Sequence, residues 1–358
     1  MDRHEEWEQY FDPSRRQMRR ERTMARRTDR SKYKVTDQLK ARRAEPTTMG
    51  EDQLLLGKVI FIRSQDIVVA TADRTYTCTL RGVFKLSKDR KKNLVVVGDN
   101  VRFDPITADT GCIHHILPRS SILCRQEHLH RVQQQLVASN VDQVLITVSL
   151  AEPSFRPSIV DRYRIAARKG GMAPIVAINK MDLADQYPKE ADLVHQSLQL
   201  YESLGIPAVS FSAQTGEGMS DLEMVLKDRI SVFSGQSGTG KSCIINALTG
   251  LTLKTASVRA VGKGAHTTTS AQLLPLPFGG WCVDTPGIRS FGIVSLEKED
   301  LQAEFVELFA QPCRFNNCWH TQQEGCALPD ALARGDVSPL RISSYLSLLA
   351  SISSRYSS

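Results

Sequence analysis

From residue 54 onward, apolar and polar positions alternate in short stretches, with β-rich runs at 57–62, 66–70, 75–80, 94–103 and 112–116 interrupted by turns. Five short strands in so little chain suit a small barrel, because closure removes unpaired edges; an OB-like β-barrel over 51–118 is expected. Pattern alone leaves nucleic-acid binding and a structural role for such a barrel equally open. After Pro118 the texture changes. Apolar runs at 144–148, 174–178, 208–211, 230–233 and 281–283 are separated mostly by amphipathic stretches such as 189–204 and 219–229. That alternation predicts an α/β domain with a largely parallel sheet over 119–295. From 296 to 358 a helical stretch, a Cys/His cluster and a second helical tail predict a small helical zinc-binding domain.

Charge sharpens the picture at the other end. The 358 residues carry a net +7, yet residues 13–43 alone hold thirteen Lys or Arg against three acids. Residues 1–50 have few aliphatic side chains and repeated Arg pairs, among them Arg15 with Arg16 and Arg26 with Arg27. Such a segment cannot offset ordering entropy by burial, and a disordered basic extension is expected, either simply solvated or neutralising nucleic-acid phosphates. With 41% hydrophobic residues the remainder can fill several cores, and no run of about 18 apolar residues suggests a membrane span. Acids in MDRHEEWEQY disfavour a targeting peptide, so a soluble, cytoplasmic protein with no membrane partner is expected. Eight cysteines are too few for a disulfide scaffold.

The strongest motif is GQSGTGKS at 235–242, between the strand-like ISVFS and the helical CIINALTG. This is a phosphate-binding loop in its required strand-loop-helix setting. The loop is Gly235, Gln236, Ser237, Gly238, Thr239, Gly240, Lys241 and Ser242, with Cys243 next in the helix. Gly235 and Gly240 permit the tight turn whose N–H groups cradle phosphates, Lys241 reaches the outer phosphates, and the Ser242 hydroxyl can ligate Mg²⁺. DTPG follows the run at 281–283, so Asp284 can hold Mg²⁺ through water and Gly287 can offer an N–H to the outermost phosphate. NKMD at 179–182 follows another apolar run. The Asp182 carboxylate can accept two hydrogen bonds from guanine, a donor pair that adenine lacks, so GTP is favoured over ATP. Lys180 can lay its stem along the base, and Asn179 can brace the neighbouring loop. SAQTG at 212–216, beginning Ser212 and Ala213, can direct the Ala213 N–H at the guanine keto oxygen.

Between the phosphate loop and DTPG lies GKGAHTTTS at 262–270, a polar segment suited to a switch. One of Thr267, Thr268 or Thr269 is expected on Mg²⁺; Thr268 is the choice, although spacing does not separate the three. Cys313, Cys318, His320 and Cys326 form C-x4-C-x-H-x5-C, enough for a closed tetrahedral site and therefore a structural zinc. The other five cysteines have no comparable spacing and read as buried or incidental thiols. Arg314 and the Arg-containing tail at 340–349 could face RNA, a mixed solvated face being the more ordinary reading.

The base-reading motifs precede the phosphate loop instead of following it. In that order NKMD, SAQTG, GQSGTGKS and DTPG resemble a circularly permuted GTPase. With the β-rich segment before and the Cys/His cluster after, residues 51–350 resemble the bacterial small-ribosomal-subunit biogenesis GTPases of the RsgA (YjeQ) family, and the basic extension lies outside that likeness. The resemblance implies a Mg²⁺-dependent GTP hydrolase acting late in small-subunit assembly, and a monomer is expected, although the sequence does not reveal the oligomeric state. The resemblance further implies the subunit and its rRNA as partners and activator, zinc on the four ligands, and a part for His266 in hydrolysis. Ile288 follows DTPG where a glutamine could orient water, so slow intrinsic turnover is expected. Because DTPG runs almost directly into the Cys/His segment, the γ-phosphate is expected to reposition that domain relative to the barrel. Two alternatives remain: a GTP-gated RNA-binding scaffold with little hydrolysis, and a phosphotransferase acting on a small molecule.

Overall fold

A computed structural model describes residues 54–63, 66–81, 94–126, 134–250, 271–284, 296–321 and 324–353. The basic extension at 1–50, the segment with His266 and Thr267, Thr268 and Thr269, and Gly287 lie outside the described residues.

Strands β1 (Leu55–Arg63), β2 (Asp66–Ala70), β3 (Thr75–Leu80), β4 (Asn100–Pro105) and β5 (Thr110–Ile116) run in the order β1-β2-β3-β5-β4. Pairing of β4 back to β1 closes the barrel. Alternate residues point inward, as a period of two requires: Tyr76 and Cys78 from β3, and Val101 and Phe103 from β4, are buried. They meet Val59, Val69 and Ile113 in one core. The strand expected at 94–103 begins only at Asn100. Asp99 is the reason: its buried carboxylate accepts the Val96 N–H at 2.9 Å, the Arg119 guanidinium at 2.7 and 2.8 Å, and the Ser139 hydroxyl at 2.6 Å. These bonds fold the preceding residues into a turn and tie the barrel to β7 (Gln134–Ser139), which forms a hairpin with β6 (Ile122–Gln126). The sequence pattern did not reveal that hairpin.

The next elements alternate: β8 (Gln143–Ser149), α1 (Pro157–Lys169), β9 (Ala173–Asn179), α2 (Pro188–Ser203), β10 (Ala208–Ser210), α3 (Met219–Leu226), β11 (Ile230–Ser234) and α4 (Lys241–Thr249). Then come β12 (Gln272–Pro275) and β13 (Trp281–Asp284). Strands β10, β9, β8, β11 and β13 are parallel in that order, and β12 joins β13 antiparallel. Every residue of β8 and β11 is buried, as expected for strands covered on both faces. The helix expected at 219–229 stops at Leu226, because Lys227 is extended and Asp228 turns at φ 57° to enter β11. A bulge in β1 between Val59 and Phe61 precedes the pairing of Phe61 with Gln272 of β12, so barrel and α/β strands share one eleven-stranded sheet.

Helices α5 (Lys298–Glu304), α6 (Val306–Phe309), α7 (Leu328–Arg334) and α8 (Pro339–Ser353) bury Leu301, Phe305, Leu308, Tyr345 and Leu348 together with Ile165 of α1. A buried charge cluster completes this seam. Asp161 accepts from Arg341 at 2.6 Å and from the Ser344 hydroxyl at 2.5 Å, while Arg341 also donates to Glu307 at 2.5 Å and to the Glu304 carbonyl at 2.9 Å. Arg164 pairs with Glu304. Burial pushes the Glu304 carboxyl up, to about 7, and Arg164 down, so their mutual attraction only partly offsets lost hydration. Both readings of the arginine in the tail at 340–349, the solvated face and the surface toward RNA, are therefore corrected: Arg341 is 2% exposed and bolts α8 to α1. Among the described residues no helix is long and apolar enough to cross a membrane.

Candidate functional site

Parallel strands deliver their loops to one edge, so the chain order of the motifs does not matter once the sheet forms. The segment after β8, NKMD after β9, SAQTG after β10, the glycine-rich loop after β11 and Asp284 at the end of β13 all leave the carboxyl ends of parallel strands.

The glycine-rich loop leaves β11 at Gly235, where a Cβ would run into the Thr147 carbonyl oxygen of β8; only glycine lets the two strands close there. Gly240 caps α4, whose free N–H groups face the loop. Within the loop the Thr239 hydroxyl donates to the Gln236 carbonyl at 3.1 Å, while Ser237 and Gly238 are exposed. The Lys241 amine donates to the carbonyls of Gly235 at 2.8 Å and Gln236 at 2.5 Å. Burial pulls its pKa down to about 8. Ser242 is half-buried and Cys243 exposed on the same first turn of α4.

Asn179 joins three motifs. Its side-chain N–H donates to the Thr239 carbonyl of the phosphate loop at 3.0 Å, and its Oδ1 accepts the Ala213 N–H of SAQTG at 3.0 Å. The brace expected of Asn179 is thus present. The Ala213 N–H, expected to face a base, points at Asn179 instead, because that buried amide oxygen needs a donor. Asp182 accepts the Ser212 hydroxyl at 2.6 Å, and the Ser212 oxygen accepts the N–H groups of Gln214 and Thr215 at 3.3 and 3.1 Å. Beside this pair lies a cavity of about 680 Å³ lined by Asp182, Asp185, Thr215 and Glu217 among others. Lys180 sits at φ 66° and its amine reaches the carbonyls of Ala151, at 3.4 Å, and Glu152. On the other flank Asp284 accepts from Gln272 at 3.0 Å across the β12–β13 pair.

Sequence reasoning passed over Thr147, Glu152 and Gln272. Thr147 and Glu152 act through backbone atoms, which carry no residue signature; the position of 150–156 after a parallel strand was the one available signal.

Cys313, Cys318, His320 and Cys326 come together with their ligand atoms all within 4.8 Å of one another. The His320 Nδ1 lies 3.6, 3.8 and 3.4 Å from the three sulfurs. A tetrahedral ion held at about 2.3 Å by sulfur and about 2.0 Å by nitrogen sets such an edge at about 3.5 Å, so the four residues could hold one metal ion. Backbone N–H groups of His320 and Ala327 already donate to the Cys318 and Cys313 sulfurs at 3.4 and 3.2 Å, an arrangement that suits thiolates. Of the remaining thiols, Cys78 and Cys282 are buried, and burial pushes the Cys78 thiol up to about 12.

The RsgA GTPase family model matches residues 116–294. The small ribosomal subunit biogenesis GTPase RsgA of Chlorobaculum parvum is 35% identical over 313 residues, covering 84% of this chain and 99% of that protein. The protein of the same name from Ectopseudomonas mendocina is 40% identical over 263 residues, 72% of this chain and 75% of that one. Among solved structures, YjeQ from Thermotoga maritima superposes with a TM-score of 0.65 at 31% identity, covering 84% of this chain and 98% of its own. YloQ, described as a circularly permuted GTPase, superposes with a TM-score of 0.65 at 25% identity, covering 87% of this chain and 99% of its own.

Proposed function

The chain belongs to the RsgA family of GTPases, and on that premise we propose that it hydrolyses GTP during maturation of the small ribosomal subunit, binding the subunit and its rRNA in a nucleotide-dependent way. The observation that carries the reading is Asn179, whose one amide links the guanine-reading turns to the phosphate loop. A nucleotide laid along that edge would meet Asp182 at its base and Lys241 at its outer phosphates. The Ser212 hydroxyl holds Asp182 in place, and the carbonyls of Ala151 and Glu152 hold the Lys180 stem where a base would stack on it.

In the hydrolytic step, Lys241 exchanges two carbonyl partners for phosphate oxygens. The N–H groups from Gly238 to Cys243, and Gly287 beyond them, take up charge as it moves to the leaving phosphate. Mg²⁺, held by the hydroxyls of Ser242 and Thr268 and through water by Asp284, would supply further charge neutralisation on the phosphates. His266 is assigned to placing the attacking water, since Ile288 cannot. Zinc is the ion proposed for Cys313, Cys318, His320 and Cys326: three thiolates and an imidazole are its usual donors, and a closed set of four leaves no position for substrate.

The reading divides the chain into a basic extension (1–50), an OB-like barrel (51–118), a permuted GTPase domain (119–295) and a zinc domain (296–358). It carries a monomeric cytoplasmic protein with no membrane partner. GTP hydrolysis by the purified protein, with and without small ribosomal subunits and with ATP as the control nucleotide, tests it. GTP-selective stimulation by the subunit is expected. Tight GTP binding with no stimulation would overturn the assembly-GTPase reading in favour of a nucleotide-gated scaffold.

A further inference from the structure

Between the ligands Cys313 and Cys318 the chain projects Arg314, Phe315, Asn316 and Asn317, all four exposed. Phe315 leaves 51% of its surface in water. A single exposed aromatic is ordinary, but three features set this one apart. First, the tip is held at both ends and across its base. The Cys318 N–H donates to the Phe315 carbonyl at 3.1 Å, and the Arg314 N–H donates to the Gly325 carbonyl at 2.9 Å. Gly325, at φ 79°, gives Arg314 the room it occupies, since a Cβ there would press into its side chain. Second, the Arg314 guanidinium lies 5.5 Å from the Phe315 ring centroid, so a cation accompanies the exposed π-face. Third, Asn316 and Asn317 add amides that can both donate and accept. A second cation and ring stand on the same domain, with the Lys298 amine 5.3 Å from the Trp319 ring.

From this arrangement we infer that the knuckle tip is a reader of unpaired RNA: a base stacks on Phe315, the adjoining phosphate meets Arg314, and Asn316 or Asn317 meets the base edge. The inference rests on the proposed rRNA partner and adds where and how that RNA is gripped. Stacking suits single strands, whose bases present their faces; a duplex hides them and offers only phosphates. The tip is also held before binding, because its ends lie in the cluster that could hold a metal ion and its backbone is already bonded at Phe315 and Gly325.

The test uses the full-length, zinc-loaded protein and fluorescein-labelled RNA, one probe single-stranded and one the duplex of the same sequence. Phe315→Ala is expected to weaken single-strand binding about 5- to 150-fold and to leave duplex binding within twofold. Phe315→Trp should retain the affinity, and Phe315→Leu, apolar but without a ring, should fall with alanine. Zinc content and GTP affinity should match the wild type in all three. Equal weakening on both probes, full affinity with leucine, unchanged single-strand affinity in Phe315→Ala, or no single-strand binding by the wild type would each overturn the tip assignment. So would a Phe315→Ala defect seen only with protein partners. Wild-type hydrolysis stimulated by small subunits, measured alongside, stands or falls separately and reports on the proposed function alone.

Discussion

Asp161→Ala should loosen the C-terminal helices from the nucleotide-binding core. Asp161 is fully buried and sits 180 residues from Arg341, to which it is bonded at 2.6 Å; it also receives the Ser344 hydroxyl at 2.5 Å. Arg164 lies 3.5 Å away. Removing the carboxylate takes from Arg341 one of its two carboxylate partners, under the Phe305 ring whose centroid is 4.0 Å from the guanidinium carbon, and leaves a buried hydroxyl unpaired. Breaking a buried pair from one side costs about 3–5 kcal/mol, because the surviving charge stays out of water. Part of that remains covered by Glu307 and the Glu304 carbonyl, which still accept from Arg341, so the lower end, about 3 kcal/mol, is expected. Amide hydrogen exchange resolves the effect by segment. Peptides from α5 and α8 should exchange roughly a hundredfold faster, while those from β8 and β11 keep most of their protection. Adding Arg341→Met should cost less in the Asp161→Ala background than alone, since the double variant strands no charge at that contact. Unchanged exchange in α5 and α8, or strictly additive effects of the two substitutions, would refute the idea that this pair holds the seam.

Three further outcomes follow from the nucleotide edge and the metal cluster. Asn179→Ala removes the partners of a buried carbonyl and an N–H at once, and labelled-GDP titration should show affinity reduced about 10- to 100-fold; Asn179→Asp, which keeps only the acceptor for Ala213, should also fail to restore it. Lys241, lowered to about 8 when bonded to its own loop, should regain its ordinary pKa against phosphates, so GTP binding at pH 8 takes up about half a proton. Affinity should then fall as pH rises above 8, approaching tenfold per unit, and calorimetry in buffers of different ionisation enthalpy reads the uptake; Lys241→Ala should abolish binding. With zinc loaded on the four-residue cluster, chelation should release one metal per chain by native mass spectrometry and lower the melting temperature of the C-terminal helices, whereas β8 and β11 should keep their exchange protection.

The sequence by itself determined which candidate site residues lie in short contiguous runs. A phosphate loop, a guanine turn and a four-ligand cluster each need particular residue types at fixed spacing, and those spacings survive any change in chain order. Strands with strict alternation, such as β2 and β3, were legible to the residue because each shows one face to a core and one to water. Where long-range bonds compete with local pattern, legibility ended. Asp99 turns an apolar run that otherwise reads as strand into a turn, through partners at Arg119 and Ser139. Arg341 looked like a solvated cation because nothing near it in sequence names Asp161. Backbone groups such as the Thr147 carbonyl beneath Gly235 and the Glu152 carbonyl at Lys180 have no letter in the sequence at all. The tertiary structure alone decided these, because burial converts a distant charge or a bare carbonyl into an obligatory partner only after the chain has brought the two together.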